Sequence, residues 1–329
     1  MLYISRLPPR SRPAISPEGG RRAVSWPRVR RVLANRNFAF GTAFVLGLIL
    51  GPVAARPLAQ LTLPALGVLI ALTAADIPGR VFHDWRQVLR ATGLALLATY
   101  VVNTATVVAL ASLLTSEPNL YAGYALVAAS PPAVGGLGFC AALRGDVTLS
   151  LVGTVGAHVA ALAITPAITL LLLRAGLIQP GQLFVLLLEL IVVPLLVSRL
   201  LRYHRILPRV RRWRGPVINW SYALVIFVAV GVNRDIFFTR PLLVARVSLV
   251  AAASTFGLGT LSDDVLRRLR VKRSTRVSLI LFATLKNAGF AASAALALLN
   301  AEAALPGAVT SVFISLYLLW LGLTVGRRE

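Results

Sequence analysis

With 329 residues, 57% of them hydrophobic, and a mean hydropathy of +0.79, the chain has too many apolar runs of membrane-spanning length to bury in one soluble core. The runs are continuous rather than alternating, which excludes outer-membrane strands. The single cysteine, Cys140, excludes a disulfide framework or a cysteine zinc site. A net charge of +23 would suggest nucleic acid in a soluble protein, but here the charge lies between the apolar runs, where topology accounts for it and no nucleic-acid partner is expected.

In chain order, residues 1–36 carry nine arginines among proline, serine and glycine. They read as a cytosolic, mostly disordered basic arm that touches anionic membrane lipid. Cleavage of a secretory signal after Ala55 is the alternative, and it would leave an odd number of spans. Residues 37–329 read as an all-α polytopic membrane domain. Ten transmembrane helices are expected, at 38–55, 58–76, 88–114, 120–143, 149–173, 181–200, 217–234, 241–261, 276–299 and 304–324. With the amino terminus inside, the cytoplasmic segments hold 28 of the 34 Lys and Arg residues. The external loops hold only Arg56, Arg174, Arg234 and Arg240, while Arg246 and Lys286 fall inside spans. That asymmetry predicts both termini in the cytoplasm.

Ten spans divide into two five-helix halves, 38–173 and 181–324, of opposite orientation. The fourth span of the first half meets Pro131 and Pro132 and then glycines at 135, 136 and 138, a pattern a continuous helix does not tolerate. The fourth span of the second half is interrupted near Lys286-Asn287-Ala288-Gly289. Breaks at matching places in two halves point to an inverted-repeat transporter with its site at mid-membrane. A simple proline kink or a glycine packing seam is the bland reading of either break alone.

Lys286 is the sharpest polar feature. The chain has 32 arginines and two lysines, and the other, Lys272, lies in a loop. An ammonium at mid-bilayer costs about 2.5–3.5 kcal/mol on the lenient insertion scale, so it should face a cavity or a partner. Ser150, Thr154 and His158 form a stripe on the fifth span at i, i+4 and i+8. Taken alone, each is better explained by back-bonding to the preceding turn or, for the histidine, as a satisfied core group. Asn103 and Glu189 are further buried candidates, Glu189 as a partner for His158 or Lys286, and Cys140 reads as a small apolar packer. No HExxH, GxSxG, GxGxxG or P-loop pattern occurs, so no enzyme is expected. A hydrolase built on Ser150 and His158 would have to span about 12 Å of helix rise.

At these residues the chain resembles the bile acid:sodium symporter family. Its PPAVGGLGFCAALRGDVTLS is similar to that family's fourth span, and the RGDVxLS block and Thr165-Pro166 fall in register. The resemblance implies two inverted five-helix repeats, a core domain with two crossing discontinuous helices and a panel domain. It also implies alternating-access uptake of a small organic anion. Ser150 and Thr154 match a sodium-ligand pair of that family, but its Ser-Asn pair is Gly136-Leu137 here, its acidic ligand is Phe282 and its glutamine is Lys286. The expectation is therefore sodium-independent transport in a bacterial-type inner membrane, with no cofactor or metal. Lys286, Ser150, Thr154 and Phe282 would lie at the coupling-ion position. Asn287, Val134, Gly135, Gly136, Leu137 and His158 would lie near substrate. A sodium-coupled symporter with remodelled ion sites, an arsenite exporter and a non-transporting sensor of the same fold remain alternatives.

Overall fold

The structure is a computed structural model that describes residues 35–75, 84–133, 135–173, 179–203 and 207–325. The expected basic arm lies outside the described residues, apart from its last two positions, as do Val134 and Arg174. All regular elements among the described residues are helical, and seven helices are long and apolar enough to cross a membrane.

The first of these seven covers Phe38–Ala74. It comprises α1 (Arg36–Ala55), a 3-10 turn (Arg56–Leu61) and α2 (Thr62–Ala74). At about 1.5 Å per residue it is too long for one crossing, and its neighbours show why. Beside α10 (Leu207–Val232), Phe40 stacks on Tyr222 at 4.9 Å between ring centroids, and Gly47 lies against Phe227 and Val230. Further along, Leu72 O accepts from Arg214 Nε at 2.9 Å. The chain thus climbs α10 and then descends it, reversing at Gly51, whose φ of 63° only glycine adopts cheaply.

Next, α3 (Trp85–Leu96) passes through a π segment, Leu97–Asn103, into α4 (Thr104–Leu114). Asp84 caps α3, accepting from Arg86 N at 3.0 Å. Two short helices follow, α5 (Pro118–Ala129) and α6 (Gly136–Ala142), then α7 (Val147–Leu172). The Arg144-Gly145-Asp146 step has a local cause. Arg144 takes a left-handed φ of 55° to end α6, and Asp146 Oδ1 caps α7 by accepting from Leu149 N at 2.9 Å. The span from α8 (Pro180–Leu187) to α9 (Val193–Tyr203) carries a π segment at Leu188–Val192.

After α10 and the short α11 (Arg234–Thr239), α12 (Pro241–Ala252) runs through a third π segment, Ala253–Gly257, into α13 (Leu258–Arg268). Then come α14 (Arg273–Thr284), α15 (Ala288–Leu298) and the long α16 (Ala301–Val325). In packing, α1, α2, α9 and α10 form one group, while α5, α15 and α16 form the centre of another. The two meet where α10 touches α15 and α16. Neither α5–α6 nor α14–α15 counts among the seven long helices, because each is interrupted.

Candidate functional site

The two interruptions meet. Ala133 N donates to Leu285 O and Asn287 N donates to Pro131 O, both at 2.8 Å, so Pro132 and Lys286 face one another in a one-rung antiparallel bridge. This is the non-hydrogen-bonded kind of pair, in which the central N–H points away from the partner strand. Proline, which has no N–H, fits that position without losing a bond. Mutual pairing satisfies backbone groups that two unwound helices would otherwise leave bare in an apolar medium.

Each broken helix ends in carbonyls with no partner in its own helix. At the end of α14, Thr99 Oγ1 donates to Phe282 O at 3.0 Å and Asn103 Nδ2 donates to Ala283 O at 2.5 Å. At the end of α5, Thr104 Oγ1 donates to Ala128 O and Thr165 Oγ1 to Ala129 O, each at 2.7 Å. The π segment after α3 therefore straddles the crossing. Thr99 and Asn103 reach one helix end, and Thr104 reaches the other.

Lys286 completes the α5 end. Its side chain is 1% exposed. Nζ donates to Ala128 O at 2.6 Å, to Ser130 O at 3.0 Å and to Thr104 Oγ1 at 3.3 Å, and stands 4.7 Å from the centroid of the Tyr100 ring. Three protons meet three oxygens, with the negative end of a helix dipole and an aromatic face alongside. No Asp or Glu is among its partners within the described residues.

The other candidate residues lie in different environments. Asn287 Oδ1 caps α15 by accepting from Phe290 N at 3.1 Å, and the residue is 6% exposed. Gly135 is exposed, Gly136 and Leu137 are half-buried, and Gly136 N donates to Ala133 O at 3.0 Å. Val134 lies outside the described residues. His158 is buried, with Nδ1 2.8 Å from Thr154 O. A carbonyl only accepts, so Nδ1 carries the proton, and Nε2, which has no partner among the described residues, is left with a bare lone pair.

Ser150, Thr154 and Phe282 do not share the Lys286 pocket. Ser150 Oγ donates to Cys140 Sγ at 3.0 Å, and Thr154 Oγ1 donates to Ser150 O at 2.6 Å. The Phe282 ring is buried in an apolar cluster with Ala91, Ala95, Leu149 and Val152. Its Cζ would stand 2.8 Å from a Cβ added to Gly153.

One expectation is corrected. Glu189 is exposed on the π segment of its span rather than buried, and it is a hydrogen-bond partner of neither Lys286 nor His158. Cys140 is buried in an apolar cluster with Leu143, Ile280 and Leu281, as expected of a small packer, and its sulfur also accepts the Ser150 hydroxyl and lies 3.4 Å from Ser278 Oγ. Sequence reading missed Thr99, Tyr100 and Thr104, and took Thr165 only as part of the Thr165-Pro166 match. Their only trace was a set of hydroxyls within otherwise apolar spans.

A model of the SBF-like CPA transporter family matches residues 78–302, which include both breaks and the whole of α7. The chain belongs to that family. No curated protein matches it. Membership rests on the segments that carry the resemblance to the bile acid:sodium symporters, and it makes this SBF-like protein a multi-pass membrane transporter.

Proposed function

We propose that this SBF-like transporter carries a small organic anion by alternating access, without sodium. The observation that supports this best is the Lys286 ammonium, seated among oxygens at the end of a half-helix, the kind of place where transporters hold a coupling cation. A permanent amine there supplies the charge that a metal ion would bring. The second family position is taken by the Phe282 ring, which offers no oxygen ligand. Ser150 and Thr154 remain, and two hydroxyls with no carboxylate do not compensate a sodium charge.

On this reading the membrane is crossed ten times. The helical hairpin at Phe38–Ala74 contributes two crossings, and α5–α6 and α14–α15 contribute one each. The third and eighth crossings both carry π segments, at 97–103 and 253–257, and the fourth and ninth are both broken. Those matched irregularities support two inverted repeats, 38–173 and 181–324. The group α1, α2, α9 and α10 then serves as panel and the remainder as core. Both termini face the cytoplasm of a bacterial-type inner membrane, as the basic loops favour. The anion would meet Asn287 and the segment Val134–Leu137, with His158 nearby.

Sodium independence has a direct test. Uptake into proteoliposomes should be unchanged when choline replaces sodium on both sides, and strict sodium dependence would refute the assignment. His158 gives a second expectation. Its Nε2 presents a lone pair, so it can donate to an anion only after taking up a proton. Anion uptake should therefore rise as the pH falls. In His158→Gln, which has no titrating group, the profile should flatten over the same range. Counterflow measured at several pH values checks this, and an unaltered profile in the variant removes His158 from the substrate path.

A further inference from the structure

A second cavity, of about 520 Å³, lies away from the crossing, between the ends of α13, α14 and α16. Its deep wall is apolar, formed by Leu143, Ile280 and Leu281 with the Tyr317 ring, and its rim carries Asp263, Arg267, Arg273 and Arg276. We propose that this cavity binds an anionic phospholipid, with phosphate on the arginine rim and an acyl chain against the apolar wall.

Charge complementarity supports the anion. The stretch 267–276 holds six basic residues, against Asp263 and Asp264 beside it. Asp263 is already engaged, with Arg276 Nε 2.7 Å from Oδ1 and Arg267 on Oδ2. That pairing fixes the Arg276 side chain, 19% exposed, by its Nε alone. Its two terminal nitrogens have no partner among the described residues, and such a fork suits two phosphate oxygens.

The geometry of the mouth favours a lipid over a soluble anion. On α13, Leu261 and Val265 are exposed, and so are Leu316 and Leu319 on α16. These apolar faces belong to the helices that wall the cavity, beside it rather than lining it, and they suit contact with lipid tails. Trp320, which stacks on Tyr317 at 5.8 Å between centroids, stands at the edge, half out of the protein. An aromatic at the mouth and arginines at one end of an apolar slot are the features of a headgroup site between helices. The site also has a route to the crossing, because α14 runs from Arg276 to Thr284, two residues before Lys286.

The test uses the purified full chain in a neutral detergent. It is titrated separately with diphosphatidylglycerol, phosphatidylcholine and inorganic phosphate, and read by thermal shift and by native mass spectrometry. Diphosphatidylglycerol should raise Tm saturably and remain bound, while the other two should leave Tm unchanged. Arg276→Lys keeps a cation beside Asp263 but loses the fork, and should weaken the lipid about tenfold, equivalent to about 1.4 kcal/mol. Arg273→Gln, which leaves the Asp263 pairs intact, should weaken it by a similar factor. An equal shift with phosphatidylcholine, a shift with phosphate alone, or unaltered lipid affinity in both variants would each overturn the proposal.

Discussion

Replacing Lys286 with methionine is expected to leave the fold standing and to abolish transport. The stability change is a difference of opposing terms. Losing Nζ strips Ser130 O of its partner, a loss of about 1–3 kcal/mol, although Ala128 O keeps the Thr104 hydroxyl. The helix end also loses its cation, about 0.3–2 kcal/mol. Against these stands the several kcal/mol that burying an ammonium costs. No carboxylate is left behind uncompensated, so the terms nearly cancel, and Tm should move by only a few degrees. Flux should fall at least about 100-fold, because a deficit of about 2.7 kcal/mol in any one state of the cycle is enough for that.

Lys286→Ala adds a sharper test, since it opens a space ending in three oxygens. Ethylammonium should restore part of the flux and sodium should restore none. Wild-type flux in the methionine variant would show that the amine is structural only. Rescue by sodium would show that the site still accepts a metal ion, against the sodium-independent reading.

The two breaks were legible because proline and clustered glycine act locally. Pro131-Pro132 ends a helix wherever it stands, and an amine eleven residues into an apolar span announces a polar environment. What satisfied that amine was not legible. Thr99, Tyr100 and Thr104 look like ordinary members of a hydrophobic span, and only the π segment at 97–103 turns them to straddle two helix ends. A shift from α to π leaves no mark in the apolar periodicity of so uniformly hydrophobic a run. The reversal between the expected spans 38–55 and 58–76 was legible from Pro52, Arg56 and Pro57, but that its turn is itself helical was not.

Glu189 failed for a different reason. The rule that a charge inside a span faces the protein interior is statistical, and here the carboxylate stands on an outer surface of α8–α9. Cys140 packs among apolar side chains as expected, but its contact with Ser150 was not legible, because that donor belongs to the next helix.

The other large effect is expected at the seam between the two helix groups. Gly289, the second residue of α15, faces Tyr222 on α10 so closely that an added Cβ would lie 2.3 Å from ring atom Cε2. The ring has little room to yield. It packs on Phe40, and its hydroxyl donates to Ser311 Oγ on α16 at 3.1 Å. Under the proposed alternating access this contact must slide, since it joins the helix that Asn287 caps, just after Lys286, to the opposing group. Gly289→Ala should therefore cost about 1–3 kcal/mol through overpacking, and should slow exchange more than it lowers stability. Tyr222→Leu removes the obstructing ring without orphaning Ser311, whose hydroxyl also bonds Gly307 O at 2.9 Å. In a double-mutant cycle read by Tm and by counterflow, the pair should be less impaired than the sum of the single variants, with a coupling of about 1–2 kcal/mol. Strict additivity would mean that the ring and the glycine do not obstruct one another. The seam would then have to slide elsewhere, along the contact of α10 with α16.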